Sequence, residues 1–292
     1  MNVFITGGSG FIGKNVIELL GEHYNILAPG SRELDLGDEV AVESYFQKNK
    51  IDIVIHSAVR PGHRNAKDPS NQLYLNTRMF FNIIRNSDKF KHLISLGSGA
   101  VYDIRNSIVK VTEDFFDTHV PADEHGFSKY IIAKHMEKLD RAVKLRVFGV
   151  FGKYEDYTIR FISNVICKVI CDLPITIRQN RFFDYLYIDD LMPVLEHFIY
   201  NSAQHCAYNV TPDKAVDLYS IAEMVLARSG KDLPIIVSEP GMGPEYSGDN
   251  SRLRVEIPQL AFTPLAEAID RLYGWYEEHF REIDRERLLV DK

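Results

Sequence analysis

The chain has 292 residues, 45% of them hydrophobic, three cysteines and a formal net charge of -7 at neutral pH. A chain of this length and composition buries a large core without staples, and its acidic balance argues against a phosphate-backbone partner, so nucleic-acid binding is not expected. Cys167, Cys171 and Cys206 offer no C-x-x-C pair and read as reduced, apolar side chains of a cytoplasmic protein. A strand pattern begins at Asn2, leaving no room for a signal peptide, and no run of about 18 apolar residues offers a membrane span. Short β-branched runs at 3–5, 25–28, 51–56, 92–96 and 143–148 predict strands, and between them 11–20, 39–48, 72–86 and 128–140 carry helical periodicity. That alternation predicts an α/β, doubly wound parallel sheet with helices on both faces. After Gly152 the rhythm loosens: a helix over 157–171, strands near Ile175 and Tyr185, a helix over 190–200 and a Pro/Gly-rich stretch over 234–248 suggest a smaller, mixed C-terminal domain. Gly274-Trp275-Tyr276 suits a packed terminal helix.

Thr6-Gly7-Gly8-Ser9-Gly10-Phe11-Ile12-Gly13 lies between the first strand and the first helix. Gly7 permits the tight turn, Gly10 lets backbone approach a pyrophosphate and Gly13 lets the helix pack closely. Phe11 and Ile12 open the helix whose N-terminal amides would face the phosphates. The second strand ends in Ala28-Pro29-Gly30-Ser31-Arg32, without the acid that holds the ribose of NAD. Ser31 and Arg32 suit a 2′-phosphate instead, which favours NADP over NAD, although Arg32 also reads as a solvated loop residue. Asp35 and Leu36 are placed for an adenine edge, and Asp35 equally for a local turn.

With these motifs in place the chain resembles the extended short-chain dehydrogenase/reductases, the nucleotide-sugar epimerases, dehydratases and 4-keto reductases. The resemblance runs through His56-Ser57-Ala58, Asn76, Leu96-Gly97-Ser98-Gly99-Ala100-Val101-Tyr102, His125-Gly126-Phe127-Ser128-Lys129, residues 145–152 and Tyr187-Ile188-Asp189-Asp190-Leu191. Residues 31–36 with Ala41-Val42 and Tyr45-Phe46 are most similar to the GDP-fucose synthase and 4-keto-reductase branch. The resemblance implies a Rossmann domain over 1–155 and a mainly substrate-binding domain over 156–292, with about 183–212 returning to the first. It also implies that Ser57 and Ala58 border the cofactor and that the chain forms a homodimer through helices that include 128–140.

In that branch the serine matching Ser98 bonds the reacting sugar oxygen, and the lysine matching Lys129 binds the nicotinamide ribose and lowers a neighbouring acid's pKa. Hydride delivery to a ketone builds negative charge on oxygen, which needs fixed donors and a proton source. The bland alternatives are a strand-end turn for Ser98 and an exposed helical lysine for Lys129. The family tyrosine four residues before the lysine is His125 here. With a reference pKa of about 6.5, imidazolium is a feasible acid. Three readings stay open: His125 replaces the tyrosine, Tyr102 or His119 serves, or the protein binds cofactor without turnover.

On the substrate side Gly149 stands where the family often has Asn, and Phe183 where it often has Arg. Arg181 shares an extended face with Phe183 and Tyr185, so Arg181 and Tyr185 are candidate substrate contacts, with Arg178 and Arg254 as rivals for the pyrophosphate. His63 and the loop 60–64 are further candidates for the cleft. The ten histidines show no paired metal-ligand spacing, so no metal is expected. The resulting expectation is an NAD(P)-dependent oxidoreductase reducing a 4-keto group of a nucleoside-diphosphate sugar, with an epimerase holding NAD tightly, or a non-catalytic cofactor-binding protein, as alternatives.

Overall fold

The computed structural model describes residues 1–60 and 71–289. The first half lays down β1 (Asn2–Thr6), α1 (Phe11–Leu20), β2 (Asn25–Leu27), α2 (Glu39–Lys48), β3 (Ile53–His56), α3 (Gln72–Ile84), β4 (His92–Ser98), β5 (Ile108–Val111), α4 (Glu124–Met136), β6 (Ala142–Val147) and β7 (Gly149–Phe151). The second half adds α5 (Phe161–Ile170), β8 (Ile175–Asn180), β9 (Phe182–Phe183), β10 (Tyr185–Tyr187), α6 (Leu191–Tyr200), β11 (Ala207–Val210), β12 (Val216–Asp217), α7 (Leu218–Ser229), β13 (Ile235–Met242), β14 (Tyr246–Gly248), α8 (Ser251–Glu256) and α9 (Leu265–Glu278).

Six strands form a wholly parallel sheet in the order β11-β6-β4-β3-β1-β2. Strand alternation sorts its side chains into two cores. Val3, Ile5, Ile53, Ile55, Ile94 and Leu96 join one with Val16 and Leu20 of α1 and Leu191 and Leu195 of α6. Phe4, Val54 and Leu93 join the other with Phe46 of α2, Phe80 and Ile83 of α3, and Ile132 and Met136 of α4. Both faces are therefore dry, which explains the near-continuous apolar runs of β1 and β3. The chain reverses direction across the sheet between β1 and β3, because β2 lies on one side of β1 and β3, β4 and β6 on the other. A doubly wound sheet parts its loops at such a point, leaving a crevice at the carboxyl ends of the strands.

Among the elements that differ from the sequence expectation are α4 and the stretch over 234–248. The helix expected over 128–140 runs from Glu124 to Met136, because Asp123 caps it by accepting from the Gly126 amide at 2.9 Å, and this takes His125 and Lys129 onto the same helix. The Pro/Gly-rich stretch over 234–248 holds two strands. There β13 pairs with β8 in parallel, and a register shift between Glu239 and Met242 absorbs Pro240 and Gly241, the latter at φ +76°. No described helix is long and apolar enough to cross a membrane.

Candidate active site

The glycine loop is dictated by contacts that leave no room for side chains. Gly7 takes φ +75°, and a Cβ there would stand 3.0 Å from the Ala58 backbone; a Cβ on Gly13 would collide with the Gly7 carbonyl. The Gly10 amide closes the turn onto that carbonyl at 2.9 Å, and α1 starts at Phe11 with Gly10 at its N-cap and no side-chain cap. The amides of the first helical turn thus carry no side-chain acceptor at Gly10, the arrangement that suits an anion. Thr6 Oγ1 accepts from the Ser57 and Ala58 amides, both at 3.1 Å, and pairs with His56 Nδ1 at 2.9 Å, tying the end of β1 to the turn after β3.

A cavity of about 730 Å³ opens above this turn. Gly7, Gly10, Phe11, Ile12, Ser31, Asp35, Leu36, Ser57 and Ala58 line it, and so do Ser98, His125 and Lys129, which come from the end of β4 and one face of α4. An elongated dinucleotide fits this setting: the glycine loop would hold its pyrophosphate, and the residues from Ser31 to Leu36 would border one end. Gly13 lies beneath the loop rather than on the wall. Arg32 is exposed and off the wall, beside Ser31. The exposed Glu33 turns its carboxylate back onto the Gly30 amide at 2.8 Å. Asp35 lines the cavity and also makes a local turn, accepting from the Gly37 amide at 2.8 Å.

The other end of the cavity is built from the end of β4 and from α4. Ser98 closes β4, and its Oγ accepts from the Ala100 amide at 3.2 Å, which fixes the side chain as a turn residue while leaving it on the wall. Lys129 is only 7% exposed, and burial lowers its ammonium pKa to about 8. No side-chain hydrogen bond or ion pair among the described residues claims it. His125 precedes it by one helical turn and is half-buried. Asn76 holds this corner together: its Oδ1 accepts from the Arg60 amide at 2.7 Å, its Nδ2 donates to Ser128 Oγ at 3.3 Å, and the Ser128 hydroxyl donates to the His125 carbonyl at 2.9 Å. Below lie two further buried groups. His56 is held neutral, its pKa lowered to about 3 by burial and by the nearby Lys144 and Lys129, and the Lys144 ammonium donates to Ser95 Oγ at 2.9 Å.

The other candidate acids stand elsewhere. Tyr102 is 1% exposed and donates to Asn209 Oδ1 at 2.6 Å, and burial pushes its hydroxyl up to about 12. His119 is exposed, with its ring nitrogen 3.1 Å from the Thr118 hydroxyl, and neither residue lines the cavity. His63 lies outside the described residues.

On the substrate side the structure sets the expected contacts apart from the cavity wall. Arg181 and Tyr185 do not line the cavity. The strand breaks at Asp184, whose amide donates to the Tyr246 carbonyl at 3.1 Å, and Tyr185 packs on Phe151, Phe161 and Phe183. Arg178 pairs with Glu239 at 2.8 Å and Arg254 with Asp213 at 2.7 Å, so both rivals are engaged on the surface. The residues that reach the wall are Phe148, Gly149, Phe183, Tyr246 and Arg160. Sequence reasoning passed over Arg160 as a helix-interior residue. It is the N-cap of α5, and the signal was the apolar run that begins at Phe161.

Known proteins share this architecture. The GDP-L-fucose synthetase of Naegleria fowleri bound to NADP superposes with a TM-score of 0.84 at 17% identity, covering 96% of this chain and 93% of that one. The UDP-glucose 4-epimerase of Thermotoga maritima with UDP-glucose gives 0.84 at 18% identity, over 96% and 100%. In sequence, the GDP-L-colitose synthase of Yersinia pseudotuberculosis is 24% identical over 225 residues, 69% of this chain and 73% of that protein. The fold is that of the extended short-chain dehydrogenase/reductases. The model of the NAD dependent epimerase/dehydratase family matches residues 3–211, well over half of the chain, and the protein belongs to that family.

Proposed function

We propose that the protein is a nicotinamide-dependent reductase that acts on the 4-keto group of a nucleoside-diphosphate sugar. The observation that carries this reading is the sharing of one cavity by the glycine loop and by Ser98, His125 and Lys129. A bound nicotinamide supplies the hydride. The chain's own residues then have separable tasks. Ser98 Oγ, fixed by the Ala100 amide, can donate its hydrogen to the substrate oxygen as negative charge builds there. His125, on the first turn of α4, hands over the proton that this oxygen needs. Lys129, buried and paired with no carboxylate among the described residues, holds a ribose hydroxyl and favours the neutral form of a neighbouring imidazolium, easing that proton's departure. Arg160, beside the aromatic part of the wall, offers a cation to the substrate's diphosphate. Ser31 on the wall with Arg32 beside it favours NADP.

The epimerase reading draws on the likeness to the Thermotoga enzyme and to other epimerases. The two separate in one experiment: NADPH absorbance is followed over time with a panel of 4-keto nucleotide sugars, and denatured protein is assayed for copurified cofactor. Stoichiometric loss of absorbance supports the reductase. Constant absorbance, with cofactor bound as isolated and a sugar interconverted, replaces it with the epimerase.

A further inference from the structure

Three aromatic rings of the cavity wall, Phe148, Phe183 and Tyr246, interlock with three glycines, of which Gly149 lines the cavity and Gly99 follows Ser98 in the chain. A Cβ on Gly99 would stand 2.5 Å from Tyr246 Oη and 2.7 Å from the Phe148 ring. One on Gly248 would stand 2.6 Å from Phe148, and one on Gly149 would stand 2.5 Å from the Phe183 ring. Each ring occupies the space that a side chain at one of these glycines would take. The rings also brace one another. Phe183 stacks on Tyr246 with centroids 4.5 Å apart and planes at 22°, Tyr246 meets Phe148 at 5.0 Å, and Tyr185 backs Phe183 at 5.0 Å.

Backbone contacts fix this block. The Asp184 carboxylate accepts from the Gly248 amide at 2.7 Å and from the Thr211 hydroxyl, while the Asp184 amide bonds the Tyr246 carbonyl. Asp184 thus clamps the strands carrying Phe183 and Tyr246 to each other. The block is therefore a rigid apolar surface of the cavity that Ser98 and Arg160 also line. Core packing alone does not require Phe183 to line a cavity.

We propose that Phe183 is a specificity-determining residue, the surface on which the apolar C–H face of the substrate's sugar ring stacks beside Ser98. This rests on the nucleotide-sugar reading above. A pyranose presents C–H bonds on one face and hydroxyls at its rim. A rigid ring under that face orients the sugar at little entropic cost, leaving the rim for Ser98 and His125.

The test is calorimetric titration of the full chain, saturated with oxidised cofactor, with GDP, UDP, GDP-mannose and UDP-glucose. The sugar-bearing ligand of at least one pair is expected to bind more tightly than its parent diphosphate. Phe183→Leu is expected to weaken that ligand about tenfold, the size of a lost stacking contact. The affinities for the parent diphosphate and the cofactor are expected to stay unchanged. Phe183→Tyr, which keeps the ring, is expected to retain the sugar's gain. Equal weakening of diphosphate and nucleotide sugar in Phe183→Leu, or no weakening of either, would overturn the stacking role while leaving the reaction intact. If neither diphosphates nor nucleotide sugars bind the unaltered protein, the nucleotide-sugar reading itself fails, and that failure is visible before any variant is made.

Discussion

His125 and Lys129 lie one helical turn apart and face the same cavity, so substituting either removes a group from the reacting end without touching the glycine loop. Lys129→Met is expected to lower kcat by roughly 10²-fold. The pH profile gives the sharper readout. Burial sets the Lys129 pKa at about 8, so its charge is complete well below that pH and is lost as pH rises through it. The alkaline limb of kcat/KM in the unaltered protein is expected to report loss of the proton that His125 delivers, and Lys129→Met, which removes a cation favouring that loss, is expected to move the limb to higher pH. A limb that persists unchanged in the variant assigns it to another group. These residues were legible because α4 keeps the ordered motif from His125 to Lys129. Tyr246 was not, because it reaches the site through parallel pairing of β14 with β5, a contact across more than a hundred residues that leaves no local pattern.

At the scale of elements, α5 carries a burden that its sequence hides. Glu155, in the turn before it, is 6% exposed; its Oε1 accepts from Ser163 Oγ at 2.5 Å, and its Oε2 has no partner among the described residues. Burial pushes this carboxyl up to about 8 from a reference near 4.5. The folded chain must therefore take up a proton that the unfolded chain lacks at neutral pH. The resulting loss of stability begins as pH rises above about 4.5 and is complete above about 8. Glu155→Gln is expected to stabilise the protein by roughly 1–3 kcal/mol at pH 8, with the gain vanishing near pH 4; denaturant titrations at the two pH values check this. Equal stability at both would show that the carboxyl is ionised and solvated. The helix was expected to start at Tyr157, and its true start at Phe161 follows from local bonds: Asp156 Oδ1 accepts from the Thr158 amide and hydroxyl, and Asn164 Nδ2 donates to the Tyr157 carbonyl. The strands β1 and β3 were readable for the opposite reason, since each is buried on both faces and its apolar run, 3–5 and 53–55, is uninterrupted.

For the whole molecule, the glycine loop, the turn after β3 and the end of β4 converge on one cavity, so a ligand that fills it ties these segments together. Saturating NADPH at about a hundred times its dissociation constant is expected to stabilise the protein by about 2.7 kcal/mol, seen as a rise in Tm; a Tm that does not move would show that the glycine loop holds no dinucleotide. Gly13→Ala is expected to remove that rise, because its Cβ would collide with the Gly7 carbonyl and spread the loop. The parallel sheet was legible from the alternation of strands and helices. The wall facing the substrate was not, because Phe148 comes from the link between β6 and β7, Phe183 from β9 and Tyr246 from β14, and their union depends on glycines that look like ordinary turn residues.

The most direct test of the account follows NADPH oxidation in the unaltered protein and in His125→Ala side by side, with the 4-keto nucleotide sugar that the panel selects, alongside fluorescence titration of NADPH. The account predicts a fall in kcat of about 10²- to 10⁴-fold in the variant, with NADPH affinity unchanged. Full activity in His125→Ala would contradict it, and the proton would then have to come from another residue of the cavity.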